Sequence, residues 1–322
     1  MGWTRRATLK LAVAAAATPV LPLRGDDWPS RPFKIIVGTA AGGSPDIVSR
    51  VLGERLAEKF GQSLVIENVT QGAGAVAQLT VSRAAPDGYT LGMLTAGYPP
   101  QMVLRKAPFD PLEGFSFVTT VCAYPMVYAV APDSPIKSFA DLLDQAKARA
   151  GKLTYTITAH GSIYHVLTKW IELESGASLT PIPYRGTAQA VTDVLSGRVD
   201  VLVDAATSAF PRIASKQVRV LALSAPQRYP LMPDAPIIAE TLPKVSFLSW
   251  LGLAAPPGTP SPIIDRLNRE VRAALTTATV QERLIEGGNI AIPSTPAEYR
   301  QKVADEMAQW RHVIEAGGIK AE

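Results

Sequence analysis

The chain has 322 residues, enough for two domains of ordinary size or one large one, and a 47% hydrophobic content that supplies a real core and excludes disorder. The net charge of +4 owes much to the first 27 residues: their four basic and two acidic side chains come off totals of 32 and 28, leaving 28 against 26, or +2. That near-balance, without clusters of Lys and Arg, excludes nucleic acid and an anionic membrane surface as partners.

In chain order, Thr4-Arg5-Arg6-Ala7-Thr8-Leu9-Lys10 is a basic stretch ahead of a short alanine-rich apolar run, Leu11 to Val20. The run is too short to span a bilayer and reads as a secretory leader, with Ala15-Ala16-Ala17 as an A-x-A-like cleavage site. Arg5-Arg6 with Leu9 and Lys10 resembles a twin-arginine signal, although Thr8 stands where an apolar residue is usual, so the general export route stays open. No cysteine follows to anchor a lipid, and the mature sequence starts near Asp26-Asp27-Trp28-Pro29.

Phe33 to Val37 is a β-branched run that reads as a strand. A turn, Gly38-Thr39-Ala40-Ala41-Gly42-Gly43, leads into a helix from Asp46 to Phe60. Ile47, Val48, Val51, Leu52, Leu56 and Phe60 form its apolar face, Ser44 is the expected cap, Pro45 suits the first turn, and Gly61 closes it. The alternation continues with a strand over 63–67, a helix over 74–84, a strand over 89–94 and an apolar run over 115–130 broken at Pro125. Helices over 138–149, 162–174 and 187–196 then alternate with strands over 152–157, 181–184, 199–203 and 218–223. Strands alternating with helices predict an α/β protein whose sheets are largely parallel, with helices on both faces.

Two distant segments look alike. Met126 to Pro135 and Trp250 to Pro260 are each an apolar strand, then Ala-Pro, then Ser/Thr-Pro, then an amphipathic helix, over 262–275 in the second case. They are either similar strand–helix turns or the two places where the chain crosses between domains. The tail opens with a capping box, Thr295-Pro296-Ala297-Glu298, ahead of a long helix that carries Tyr299, Val303, Met307 and Trp310 on one face.

Catalytic machinery is sparse. The three histidines are His160, His165 and His312, and Cys122, the lone cysteine, lies in an apolar strand and reads as core. There is no nucleophile elbow, and His160 and His165 are five apart, off the four-residue spacing of two ligands on one helix face. Gly72-Ala-Gly-Ala-Val-Ala77 fits a dinucleotide fingerprint by letter, but Val69-Thr70-Gln71 lengthen the turn and the acidic partner is missing. No catalytic residue, metal or cofactor is expected. The Thr39–Asp46 turn exposes backbone N–H groups at a positive helix end, an anion site that needs no Arg or Lys. A second such turn is Thr158-Ala159-His160-Gly161-Ser162-Ile163-Tyr164-His165. Taken alone, both read more readily as plain strand–helix connections.

Several segments, taken in order and spacing, resemble the tripartite tricarboxylate transporter substrate-binding proteins, the Bug family of bacterial periplasmic receptors. They are Ala41-Gly-Gly-Ser-Pro-Asp46, Ala85-Pro-Asp-Gly-Tyr-Thr-Leu91, Pro183-Tyr-Arg-Gly-Thr187, Gly197-Arg-Val-Asp-Val-Leu-Val-Asp204, Trp250-Leu-Gly-Leu-Ala-Ala-Pro256 and Pro260 to Asn268. The resemblance covers essentially the whole mature chain. It implies a two-lobed type II periplasmic binding fold, each lobe a mostly parallel sheet flanked by helices, with the ligand cleft between lobes. Lobe one would be 28–124 with 249–322 and lobe two 125–248. Carried over by position, Thr39, Ala41, Gly42, Gly43, Ser44 and Asp46 form the first clamp, and His160, Gly161, Ser162, Ile163 and His165 the second. Tyr184, Asp204 and Thr207 lie at the floor or rim. The chain departs from the family at Gly38-Thr39, where an aromatic residue is usual, at Val69-Thr70-Gln71, and at the second loop, where His160 and Tyr164 could add side-chain contacts. The implied function is capture of a small carboxylate in the periplasm by hinge closure, for membrane permease subunits on other chains. The receptor would be a monomer, with no nucleic-acid partner and no membrane insertion. Rival readings are a sensor subunit that presents its ligand to a signalling protein, and a periplasmic hydrolase using His160 or His165 as base.

Overall fold

The described chain opens with the expected strand–helix repeat. The computed structural model describes residues 28–105, 109–184 and 186–320; the leader read at residues 1–27 lies outside them. The repeat runs β1 (Phe33–Val37), α1 (Ser44–Phe60), β2 (Leu64–Asn68), α2 (Ala75–Ser82), β3 (Thr90–Thr95), α3 (Tyr98–Leu104) and β4 (Ser116–Tyr124). Next come β5 (Met126–Val130), α4 (Phe139–Ala148), β6 (Thr154–Ile157), α5 (Ile163–Ser175), β7 (Thr180–Pro183) and α6 (Thr187–Leu195). The remainder is β8 (Leu202–Ala205), α7 (Ala206–Ala214), β9 (Arg219–Leu223), β10 (Ser249–Ala255), α8 (Ser261–Leu275), α9 (Ala278–Glu286), β11 (Ile290–Ala291) and α10 (Pro296–Ala316).

One sheet has the order β11-β4-β10-β3-β1-β2, so β4 and β10 lie side by side although the whole of the second sheet intervenes in sequence. In the second sheet β5 lies between β8 and β9, and β6 pairs with β7. A parallel bridge between Tyr155 and Val201, together with Thr156 Oγ1 accepting from the Val203 amide at 2.9 Å, sets β6 beside β8. The chain passes from β4 of the first sheet to β5 of the second across the single residue Pro125.

The sheets are mixed rather than uniformly parallel. β1 runs parallel to β2 and β3, and β6 parallel to β7, as the strand–helix–strand alternation requires. However, β10 is antiparallel to β3 and β4, and β5 is antiparallel to β8 and β9. These are the two look-alike segments. Each enters its sheet directly from the other one, without the covering helix that a parallel crossover needs, so the constraint to parallel pairing is lifted.

Two details of α1 differ from expectation. Gly43, not Ser44, is the N-cap, in the extended conformation and without a side-chain capping bond. Ile47 is 48% exposed, whereas Val48, Val51, Leu52 and Leu56 are buried against the sheet. Ile47, in the first turn of α1, lines the recess described below instead of the core. Gly61 closes the helix at φ +62, as read from the sequence. Helices α3, α7 and α9 carry no clear sequence signal: α3 starts at Tyr98-Pro99-Pro100, which reads as a turn, and α7 contains Pro211. Thr295 and Glu298 form the expected capping box of α10, and Tyr299, Val303 and Trp310 are fully buried. Cys122 is fully buried and its thiol is pushed well above the ordinary range by desolvation, which makes it an inert core residue.

Candidate functional site

The residues singled out in the sequence lie where strands end and helices begin: between β1 and α1, between β6 and α5, after β7 for Tyr184, and at the end of β8 and start of α7 for Asp204 and Thr207. In open α/β sheets this carboxyl edge is where ligands bind. The second loop closely approaches the first sheet's helices, since a Cβ placed on Gly161 would stand 2.6 Å from Leu104 Cδ1 at the end of α3.

In the first loop Gly42 adopts φ +80, a left-handed conformation that disfavours side chains, and donates its N–H to Asp46 Oδ2 at 2.9 Å. Asp46 is buried at 2% exposure and also takes Arg50 Nε at 3.0 Å, Arg50 Nη2 at 2.9 Å and Asn68 Nδ2 at 3.1 Å. The Arg50 hydrogen bonds, outweighing burial, hold the carboxyl below its usual range. Asn68 Nδ2 also donates to the Thr39 carbonyl at 3.0 Å. Asp46 is therefore the tie that shapes the loop, with its lone pairs already occupied. The Gly43 N–H is directed to the Ala40 carbonyl at 3.3 Å. Gly42 and Gly43 thus serve by shape, and the dipole and first-turn amides of α1 remain for an anion. Ala41 is exposed. The hydroxyls of Thr39 and Ser44 are buried without a hydrogen-bond partner. Thr39 borders a recess of about 50 Å³ that also takes in Gly38, Gly74, Gln78, Thr95 and Gln101.

The second loop repeats this logic with a different side chain. Gly161, at φ +74, donates its N–H to His165 Nδ1 at 3.0 Å. Burial first, then the neighbouring His160 and Lys169, lowers His165 to about 4, so its imidazole is neutral at pH 7 and holds the loop as an acceptor. The rings of His160 and His165 meet edge to face with centroids 5.3 Å apart. Ser162 is the N-cap of α5; its N–H goes to the Ala159 carbonyl at 3.1 Å, while its hydroxyl is buried and unpartnered. Ile163 is buried beneath the loop.

Between α5, α6 and α7 lies a third group. Asp204 is 3% exposed; its Oδ1 accepts the Ala205 N–H at 2.8 Å and its Oδ2 has no partner. Burial pushes this carboxyl up to about 6, against the opposing pull of Ser208, the Ala205 amide and Arg212. Asp204 and Tyr184 share a small recess with Thr156, Thr158, Tyr164 and Thr187. Tyr184 spends its hydroxyl on Asp193 Oδ2 at 2.8 Å and acts there as a wall. Thr207 lies elsewhere, in a recess of about 130 Å³ that it lines with Gly42, Gly43, Ser44, Ile47, Ser208 and Arg283. The start of α1 and the start of α7 therefore face one another. Gln78, Gln101, Thr187 and Ser208 were not singled out in the sequence, where each is one polar residue on a helix.

The profile of the tripartite tricarboxylate transporter family receptor matches residues 48–319. The chain belongs to this receptor family. Protein BugT of Bordetella pertussis is 32% identical over 324 residues, covering 99% of this chain and 99% of that protein. Among solved structures, R. palustris Rpa4515 with adipate is 32% identical with a TM-score of 0.83, covering 91% of this chain and 99% of that one. MatC of Rhodopseudomonas palustris with bound malate is 28% identical with a TM-score of 0.79, covering 89% of this chain and 100% of that one. The receptor thus has the α/β fold of the Bug-type periplasmic solute-binding proteins. Among its described residues no helix is long and apolar enough to cross a membrane, and no cluster of His, Cys, Asp or Glu could hold a metal.

Proposed function

We propose that this receptor folds as two lobes, residues 28–124 with 249–322 and residues 125–248, which close on a small carboxylate for a membrane permease formed by other chains. The division is supported by sheet membership: β1 to β4 with β10 and β11 against β5 to β9. One observation carries the ligand reading. Thr39 Oγ1, Ser44 Oγ, Ser162 Oγ and Asp204 Oδ2, all at strand ends or helix starts around the cleft, are buried without partners. Buried polar groups are almost always satisfied, so a polar solute is the natural partner for these four. The positive ends of α1 and α5 favour an anion there, and relatives hold adipate and malate. A ligand that bridges both lobes binds the closed form better and shifts the equilibrium toward it. Export of the chain to the periplasm follows from the leader read in the sequence. A receptor rather than a catalyst is favoured because His165, the buried histidine, is committed to the Gly161 amide.

The test is a thermal-shift screen of the refolded protein against mono-, di- and tricarboxylates, aromatic acids and amino acids. A ligand at 100 times its dissociation constant adds roughly 2.7 kcal/mol, an easily measured shift. The Gly43→Val variant checks the place. Gly43 has φ −75, open to any residue, but a Cβ there stands 3.3 Å from the Ala40 carbonyl, a tight contact that makes the loop give slightly, so circular dichroism first checks that the variant folds. Unchanged binding in that variant would reject the site.

A further inference from the structure

We propose that Asp204 selects ligands that carry a hydrogen-bond donor, a hydroxyl or an ammonium group, beside their carboxylate. This rests on the carboxylate-receptor reading and adds to it the kind of acid that is taken.

Asp204 Oδ2 is a buried carboxylate oxygen with no hydrogen-bond partner. Asp46 has its lone pairs filled by Gly42, Arg50 and Asn68, whereas Asp204 takes the Ala205 amide on Oδ1, has the Ser208 side chain bearing on it, and leaves Oδ2 without a partner at 3% residue exposure. An acceptor left empty at that depth is costly, and more so when charged. The recess around it offers hydroxyl-bearing walls, Thr156, Thr158, Tyr164, Tyr184 and Thr187. The cation bearing on it, Arg212, donates Nη1 to the Ser208 carbonyl at 2.7 Å instead. Although burial raises the Asp204 carboxyl to about 6, it is ionised at pH 8 and then acts only as an acceptor.

A ligand carboxylate cannot occupy the same spot, because two anions at contact distance repel each other in a buried site. The ligand's carboxylate therefore goes to the first-turn amides of α1 and α5, and a neighbouring donor on the ligand goes to Asp204 Oδ2. The arrangement discriminates by penalty. An acid lacking the donor leaves Oδ2 stripped of water and unpaired, and sites built this way reject the analogue strongly. The sequence places Asp204 at the floor or rim by resemblance alone, and the isolation of its Oδ2 is a property of the packing.

Calorimetric titration of the refolded protein at pH 8 with matched acids tests it. Four sets differ only at the carbon beside the carboxylate: succinate, malate and aspartate; glutarate, 2-hydroxyglutarate and glutamate; adipate, 2-hydroxyadipate and 2-aminoadipate; phenylacetate, mandelate and phenylglycine. In the set that fits the cleft, the hydroxyl or ammonium member is expected to bind roughly 10- to 100-fold tighter than the unsubstituted acid. Asp204→Asn should collapse that ratio, the unsubstituted acid gaining affinity because it no longer leaves a buried charge unpaired, and the ammonium member should lose more than the hydroxyl member if it is the preferred donor. An unsubstituted acid that binds as tightly as its substituted partners in the wild-type protein overturns the proposal without any variant. A ratio that survives in folded Asp204→Asn also overturns it. If no acid of any set binds, the carboxylate reading itself fails, and this inference with it.

Discussion

The Nδ1 atom of His165 accepts the amide hydrogen of Gly161 at 3.0 Å, so a buried neutral imidazole fixes the turn that begins α5. It does for the second loop what Asp46 does for the first through Gly42. One tie is a carboxylate held charged, the other an imidazole held neutral, and the two respond to acid differently.

His165 and Asp204 should give opposite pH slopes of stability. The His165 imidazole falls from its ordinary 6.5 to about 4, so its contribution is present above 6.5 and is lost as pH falls toward 4. Asp204 rises from 3.8 to about 6, so its contribution is present below 3.8 and is lost as pH rises through 6. Urea unfolding at steps from pH 4 to 8 measures both. Relative to wild type, His165→Gln should gain stability as pH falls and Asp204→Asn as pH rises. Curves parallel to wild type would reject both assignments.

Gly161 answers two demands at once, a φ of +74 and a close approach to Leu104. Gly161→Ala should cost about 1–2 kcal/mol of stability through the left-handed backbone and should also weaken ligand binding by holding α3 away. Adding Leu104→Ala relieves the contact but not the backbone. The double variant should recover affinity and not stability; equal affinity in single and double variants would show that the contact is irrelevant to closure.

Asp46 organises the first loop through its bonds to Gly42, Arg50 and Asn68. Asp46→Ala leaves the Gly42 amide and the Asn68 carboxamide without their acceptor, at a cost of roughly 1–3 kcal/mol in denaturant unfolding. Because the turn loses its shape, affinity should fall as well. Wild-type affinity in a destabilised Asp46→Ala protein would mean that the loop keeps its form without the tie.

Trp310 in α10 meets Trp170 of α5 edge-on at 5.9 Å and Phe247, just before β10, at 5.2 Å. The C-terminal helix thus packs on the helix that carries the second loop and on the segment leading back to the first sheet. Trp310 is fully buried, so Trp310→Ala should destabilise by about 3–5 kcal/mol in equilibrium unfolding. A loss below 1 kcal/mol would mean that this junction can collapse around the cavity.

The sequence by itself determined what local chemistry determines. The turns at Gly42, Gly61 and Gly161 are written in the residue that adopts positive φ at least cost, Pro125 separates two strands, and Thr295 with Glu298 starts the last helix, all through contacts a few residues apart. The motif order also carried the family, because it depends on spacing along the chain. What only the tertiary structure decided involves partners far apart in sequence or the depth of burial. β5 and β10 run antiparallel to their neighbours because each arrives from the other sheet, which no local pattern records. The amides of Gly42 and Gly161, offered by the sequence to an anion, are already bonded to Asp46 and His165. Asp204 and Asp46 look equivalent as letters, yet one is surrounded by donors and the other is left with an empty oxygen, because packing alone fixes which donors reach a buried carboxylate.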